Sequence, residues 1–207
     1  GGIVFSNHVE KQKEPNLISK QKDKEEITKM LKSFMSKEVT DDEGYTNIGE
    51  ALSTAVDLIN KKGSKDLPSV ILFLSDGNSE MPEDELEDSL NQKADAIQSA
   101  RENNIAIYSI CLNANNKADT SEMAQISNAT GGVFQEVKKA DDLQDVFNTF
   151  YSLIYGTSTV NLKEDVFGAD GILETDFDVP SVGVEEVNIV INGTVKDVNL
   201  KNPEGIA

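Results

Sequence analysis

Histidine, cysteine and positive charge are scarce in this chain of 207 residues, which holds one His, one Cys and 19 Lys or Arg. His8, the single histidine, excludes a two-histidine zinc site and leaves a Ser-His-Asp triad one candidate base, with no Gly-x-Ser-x-Gly elbow to present a nucleophile. Cys111 closes the apolar run 105–112 with no histidine near it in sequence, so it reads as a small buried hydrophobe and not as a nucleophile. Against the 19 basic residues stand 37 acidic ones, a formal charge of −18. Such a balance repels a nucleic-acid backbone and sets nucleic acid aside as a partner. No apolar run is long enough to cross a bilayer, and no signal-peptide pattern is present.

What is present is enough for a core: 38% of the residues are hydrophobic, and the length suits one α/β domain and part of another. The chain is organised around Ser69-Val-Ile-Leu-Phe-Leu-Ser-Asp-Gly-Asn-Ser79. Its apolar run 70–74, bounded by Pro68 and by Asp76-Gly77, predicts a strand buried on both faces in the middle of a parallel sheet. Gly77 directly after Asp76 is expected to let the backbone turn sharply and keep the sheet's carboxyl rim open. Residues 2–6 predict a buried strand, 9–20 an edge strand or loop, and Ile27, Met30, Leu31 and Phe34 the apolar face of a helix over 22–36.

A second helix, with Ile48, Ala51, Leu52, Ala55, Leu58 and Ile59 on its apolar face, should end near Gly63. Pro82 and the carboxylates of 80–88 suit the start of a third helix, whose buried face reads as Leu90, Ala94, Ile97 and Ala100. A strand at 105–112, a short helix at 119–128 ending at Gly131-Gly132, a strand at 133–136 and a last helix through Leu143 to Ile154 complete the alternation. Alternating strands and helices up to about Gly156 are the signature of βαβ units on a parallel sheet. Past that point short β-like runs take over, and Asn192-Gly193 between two of them predicts a hairpin. The domain boundaries are therefore set at 1–156 and 157–207, the latter a β-rich module expected to be incomplete.

This order of elements, with Gly44-Tyr-Thr-Asn-Ile-Gly-Glu-Ala-Leu52 and Phe73-Leu-Ser-Asp-Gly77, resembles the von Willebrand factor A domain, the fold shared with the inserted domain of integrins, over about residues 1–156. The resemblance implies a Rossmann-like, doubly wound, mostly parallel sheet. It also implies a Mg²⁺ or Mn²⁺ ion on the carboxyl rim, in a metal-ion-dependent adhesion site whose coordination an acidic side chain of a protein partner completes. Thr46 matches the family's threonine ligand and Asp76 the aspartate that acts on the metal, commonly through water. A hydroxyl and a carboxylate are hard oxygen donors of the kind Mg²⁺ takes. Each also has a local alternative: Thr46 as the cap of the following helix, Asp76 as the cap of its own turn.

The family's Asp-x-Ser-x-Ser segment at the end of its first strand has no counterpart here, because residues 2–6 match the family's second strand. Asp119-Thr-Ser121 is a loose echo, better explained as a helix cap. Two expectations follow from the resemblance: a metal held weakly by one carboxylate and one hydroxyl, and a missing strand between 2–6 and 70–74 that lies upstream or in another chain. The function expected is a non-enzymatic adhesion module of a surface or secreted protein. The alternative is a degenerate A domain acting as a scaffold without metal. A Mg²⁺-dependent phosphoryl-transfer enzyme is set aside, since no phosphate-cradling Gly-rich loop and no second carboxylate on an adjacent strand accompany Asp76.

Overall fold

The computed structural model describes residues 1–15, 18, 20–34, 44–114, 116, 118–157, 170–180, 182–184, 187, 189, 191 and 195–202. The chain divides into two units, 1–157 and 158–207. In the first, the elements run β1 (Gly2–Phe5), β2 (Val9–Lys13), α1 (Gln21–Phe34), α2 (Ile48–Lys62), β3 (Ser69–Ser75), α3 (Glu83–Glu102), β4 (Ile105–Leu112), α4 (Ser121–Thr130), β5 (Phe134–Val137) and α5 (Leu143–Tyr155). The described residues of the second unit form no helix or strand, and the expected hairpin turn Asn192-Gly193 lies outside the described residues.

Two sheets result. β3, β4 and β5 are parallel neighbours in that order, with Ser75 opposite Cys111 and Cys111 opposite Glu136 in register. β1 and β2 form a separate antiparallel pair, bulged between Val4 and Phe5. Among the described residues no ladder joins β1 to β3. They share a core instead: the rings of Phe5 and Phe73 stack with centroids 5.8 Å apart.

Apolar residues cover both sides of the parallel sheet, which makes it doubly wound. On one side Ile48, Leu52 and Val56 of α2, Ala96 and Ala100 of α3, and Met123 and Ile126 of α4 close over Ile71, Phe73, Ile105 and Ile107. On the other, Phe150 of α5 packs against Tyr108, Ile110 and Val137, its ring 5.1 Å from that of Tyr108.

Three sequence expectations need correction. The strand at 70–74 is not buried on both faces: Leu72 and Leu74 are 50% and 47% exposed. Among the described residues β3 is the edge of its sheet, and its apolar run has Ile71 and Phe73 on a covered face while the other face is covered only near Val70. The third helix keeps Ile97 and Ala100 of its predicted face inward but turns Leu90 and Ala94 outward, with Ser89 and Ala96 buried in their place. Close approach to α2 causes this, because Gly49 sits so near Ser89 that a Cβ on it would lie 2.0 Å from the Ser89 carbonyl oxygen. Only small residues allow that separation. In α1, Leu31 is half exposed while Ile27 and Met30 are partly covered.

Helix ends follow local chemistry. α4 and α5 stop at Gly131 and Gly156, both left-handed (φ 76° and 64°), a conformation that costs other residues a Cβ clash. α2 stops at Gly63 in extended backbone instead, with the Gly63 amide donating to Ile59 O.

Candidate functional site

Parallel strands bring their carboxyl ends to one rim, so Ser75-Asp76, Cys111 and Glu136 lie side by side. The segment before α2 reaches the same place through backbone bonds. Thr46 N–H donates to Glu80 O at 2.6 Å and Glu80 N–H donates to Thr46 O at 3.0 Å, an antiparallel bridge. Thr46 and Asp76 are thus on two loops that are hydrogen-bonded to each other, four residues from Asp76 to the bridge.

Neither residue does the local job that its sequence context offered. α2 is capped by Asn47, whose Oδ1 accepts the Glu50 N–H at 3.0 Å. Asn47 is a hub besides, accepting the Ser89 hydroxyl at 2.8 Å and donating Nδ2 to Asn7 O at 3.2 Å. The turn after β3 is held by Ser75, whose Oγ takes the Gly77 N–H and donates to Gly77 O, both at 3.4 Å. Gly77 is in no strained conformation and has open space where a Cβ would go, so the turn does not require glycine. Among the described residues the Thr46 hydroxyl and the Asp76 carboxylate make no hydrogen bond or ion pair. Thr46 is half-buried and Asp76 exposed, so both donors are accessible from solvent. Asp119 does act at a helix start, its Oδ1 accepting the Ser121 N–H at 2.9 Å, which holds its carboxyl below the ordinary carboxylate value.

Other rim residues were not singled out by sequence. Glu122, in the first turn of α4, accepts the Ser79 hydroxyl at 2.6 Å, the Ser79 N–H at 2.8 Å and Lys93 Nζ at 2.5 Å. Burial works against its charge, yet Lys93 and the two Ser79 donors outweigh it and hold the carboxyl below its usual value. Glu136 is tied back by Asn113 Nδ2 at 2.8 Å, and Asn113 Oδ1 in turn accepts the Ala118 N–H. Burial, then the charges of Glu136 and Asp76, push the Cys111 thiol up, so this cysteine is the inert buried group expected of it. Lys93 had no signal in sequence because it occupies a helix face whose burial depends on a partner 29 residues away.

Among the described residues no group of three or more His, Cys, Asp or Glu gathers around a point. One hydroxyl and one carboxylate do not make a dedicated cage. Both are hard oxygen donors of the type that Mg²⁺ and Mn²⁺ take alongside their own water.

Fourteen solved chains match this one. One is the crystal structure of the TFIIH p34 N-terminal domain, 20% identical, covering 64% of this chain and 61% of that one with a TM-score of 0.37. This chain therefore spans under two thirds of that structure's length. No curated protein sequence matches. The family model described as von Willebrand factor type A domain matches residues 1–149, well over half of the 207. The chain belongs to the von Willebrand factor type A domain family, whose members are protein-interaction modules.

Proposed function

We propose that the rim formed by residues 45–47 and 76–80 is the surface with which this domain binds a protein partner, without catalysis, through a Mg²⁺ or Mn²⁺ held by Thr46 and Asp76. The observation that carries this reading is the freedom of the two side chains. Asn47 and Ser75 take over the capping of helix and turn, leaving a hydroxyl and a carboxylate unspent on loops bonded to each other. A bound cation would supply a positive centre on a rim that is otherwise acidic, and an acidic side chain of the partner would complete its oxygen shell. No helix among the described residues is long and apolar enough to cross a membrane, and the adhesion reading puts the module in a secreted or surface protein.

Titration calorimetry of Mg²⁺ and Mn²⁺ into the full chain tests this, with Asp76→Ala and Thr46→Val as variants. Heat in the parent that Asp76→Ala abolishes and Thr46→Val weakens supports the reading. One observation favours a second reading, a scaffold that binds its partner without metal: no group of three or more His, Cys, Asp or Glu gathers around a point among the described residues. Absence of heat in the parent chain selects that reading.

A further inference from the structure

The loop between β3 and α3 is held by a residue that belongs to neither. Glu122 of α4 takes both donors of Ser79 and pairs with Lys93 of α3, and the side chains of the ion pair are each only 16% exposed. Little water competes for these charge-assisted bonds. One residue earlier, Asn78 Oδ1 is buried with no hydrogen-bond partner among the described residues. A buried acceptor without a donor favours any arrangement that returns it to water. The loop is held at Ser79, next to an acceptor at Asn78 that has no donor among the described residues. One residue later, Glu80 carries the two-bond bridge to Thr46.

We infer that Glu122 is the positioning residue of the whole rim: by clamping Ser79 it fixes Asp76 on one side and, through Glu80, Thr46 on the other. The bonds of Thr46 and Glu80 are to each other and not to Glu122, so the clamp reaches atoms that Glu122 does not touch. It rests on the proposed binding surface for its consequence and not for its geometry.

Residue-resolved amide hydrogen exchange on the full chain tests it, with Glu122→Gln as the near-isosteric variant. The amides of Thr46 and Glu80 should exchange about tenfold or more faster, as expected when charge-assisted bonds become neutral ones. Those of Ile107 and Ile110 in β4 should rise less, by no more than the loss of global stability allows. Adding Asn78→Ala, which removes the buried acceptor without a donor, should return Thr46 and Glu80 toward parental protection. Lys93→Met, which breaks the ion pair but leaves both Ser79 bonds, should leave those two amides protected. Parental exchange at Thr46 and Glu80 in Glu122→Gln overturns the inference, and so does an equal rise across β4, the mark of general destabilisation. Titration of Mn²⁺ alone separates this from the proposed function. If the parent binds Mn²⁺, Glu122→Gln should weaken it; if the parent binds none, the cation reading fails while the exchange pattern still decides the role of Glu122.

Discussion

Replacing Gly49 by alanine should destabilise the domain, although alanine is the better helix former. An ideal Cβ there would stand 2.0 Å from Ser89 O, 2.8 Å from its carbonyl carbon and 3.0 Å from its Oγ. Ordinary contact begins near 3.4 Å, so α2 and α3 must part by about 1.4 Å at this point. The obstacle is backbone, which cannot swing aside as a side chain would. Overpacking of this kind costs about 1–3 kcal/mol, and the gain in helix propensity returns about 0.5–1 kcal/mol at most. A net loss of about 1 kcal/mol corresponds to a fall of about 2–4 °C in melting temperature for a unit of this size. Thermal and urea unfolding followed by circular dichroism measure it. Gly77→Ala, with open space where the Cβ goes, is the control and should stay within about 0.5 kcal/mol of the parent. A Gly49→Ala protein that melts at or above the parent would refute the claim that close helix contact sets this face.

Asn47→Ala removes the cap of α2 and strands the Ser89 hydroxyl, and should cost about 1–2 kcal/mol in urea unfolding, whereas Asn47→Ser, which can still cap, should recover most of it. Glu122 carries a pH dependence of known sign. Its folded value lies below the ordinary 4.5, so its contribution is complete above that value and is lost as pH falls through the folded one. Unfolding midpoints of the parent and of Glu122→Gln should differ at neutral pH and converge in acid; a gap that widens on acidification contradicts the assignment. Leu72→Lys places a charge on the open face of β3, whose outer edge is unpaired among the described residues. Light scattering at high protein concentration should show less self-association than the parent, at nearly equal stability, and unchanged scattering would deny that edge a role.

Much of the first unit is legible in the sequence because it is written in local terms. Alternating apolar runs and 3.6-residue stripes place β3, β4, α2 and α5, and Gly131 and Gly156 mark helix ends through a backbone conformation that side chains resist. Thr46 and Asp76, the proposed site, stand out as a pair only through the order of elements, a pattern that survives in one dimension. What the sequence cannot express is competition between neighbours for the same bond. Asn47 or Thr46 could each cap α2, and Ser75 or Asp76 could each hold the turn. At α2 the outcome follows the bonds of Asn47 to Asn7, between β1 and β2, and to Ser89 of α3.

Helix orientation was undetermined for a similar reason. The stripe of α3 admits two faces about one residue apart, and contact with Gly49 of α2 and the ion pair with Glu122 of α4 select the one that buries Ser89 and half-buries Lys93. The openness of one face of β3 was equally invisible, since an apolar run looks the same whether one or both sides are covered. Local periodicity thus determined which segments became strands and helices. Contacts between residues tens of positions apart decided which side chains those elements left free at the rim, because a hydrogen bond or a van der Waals gap depends on distances that only the folded chain sets.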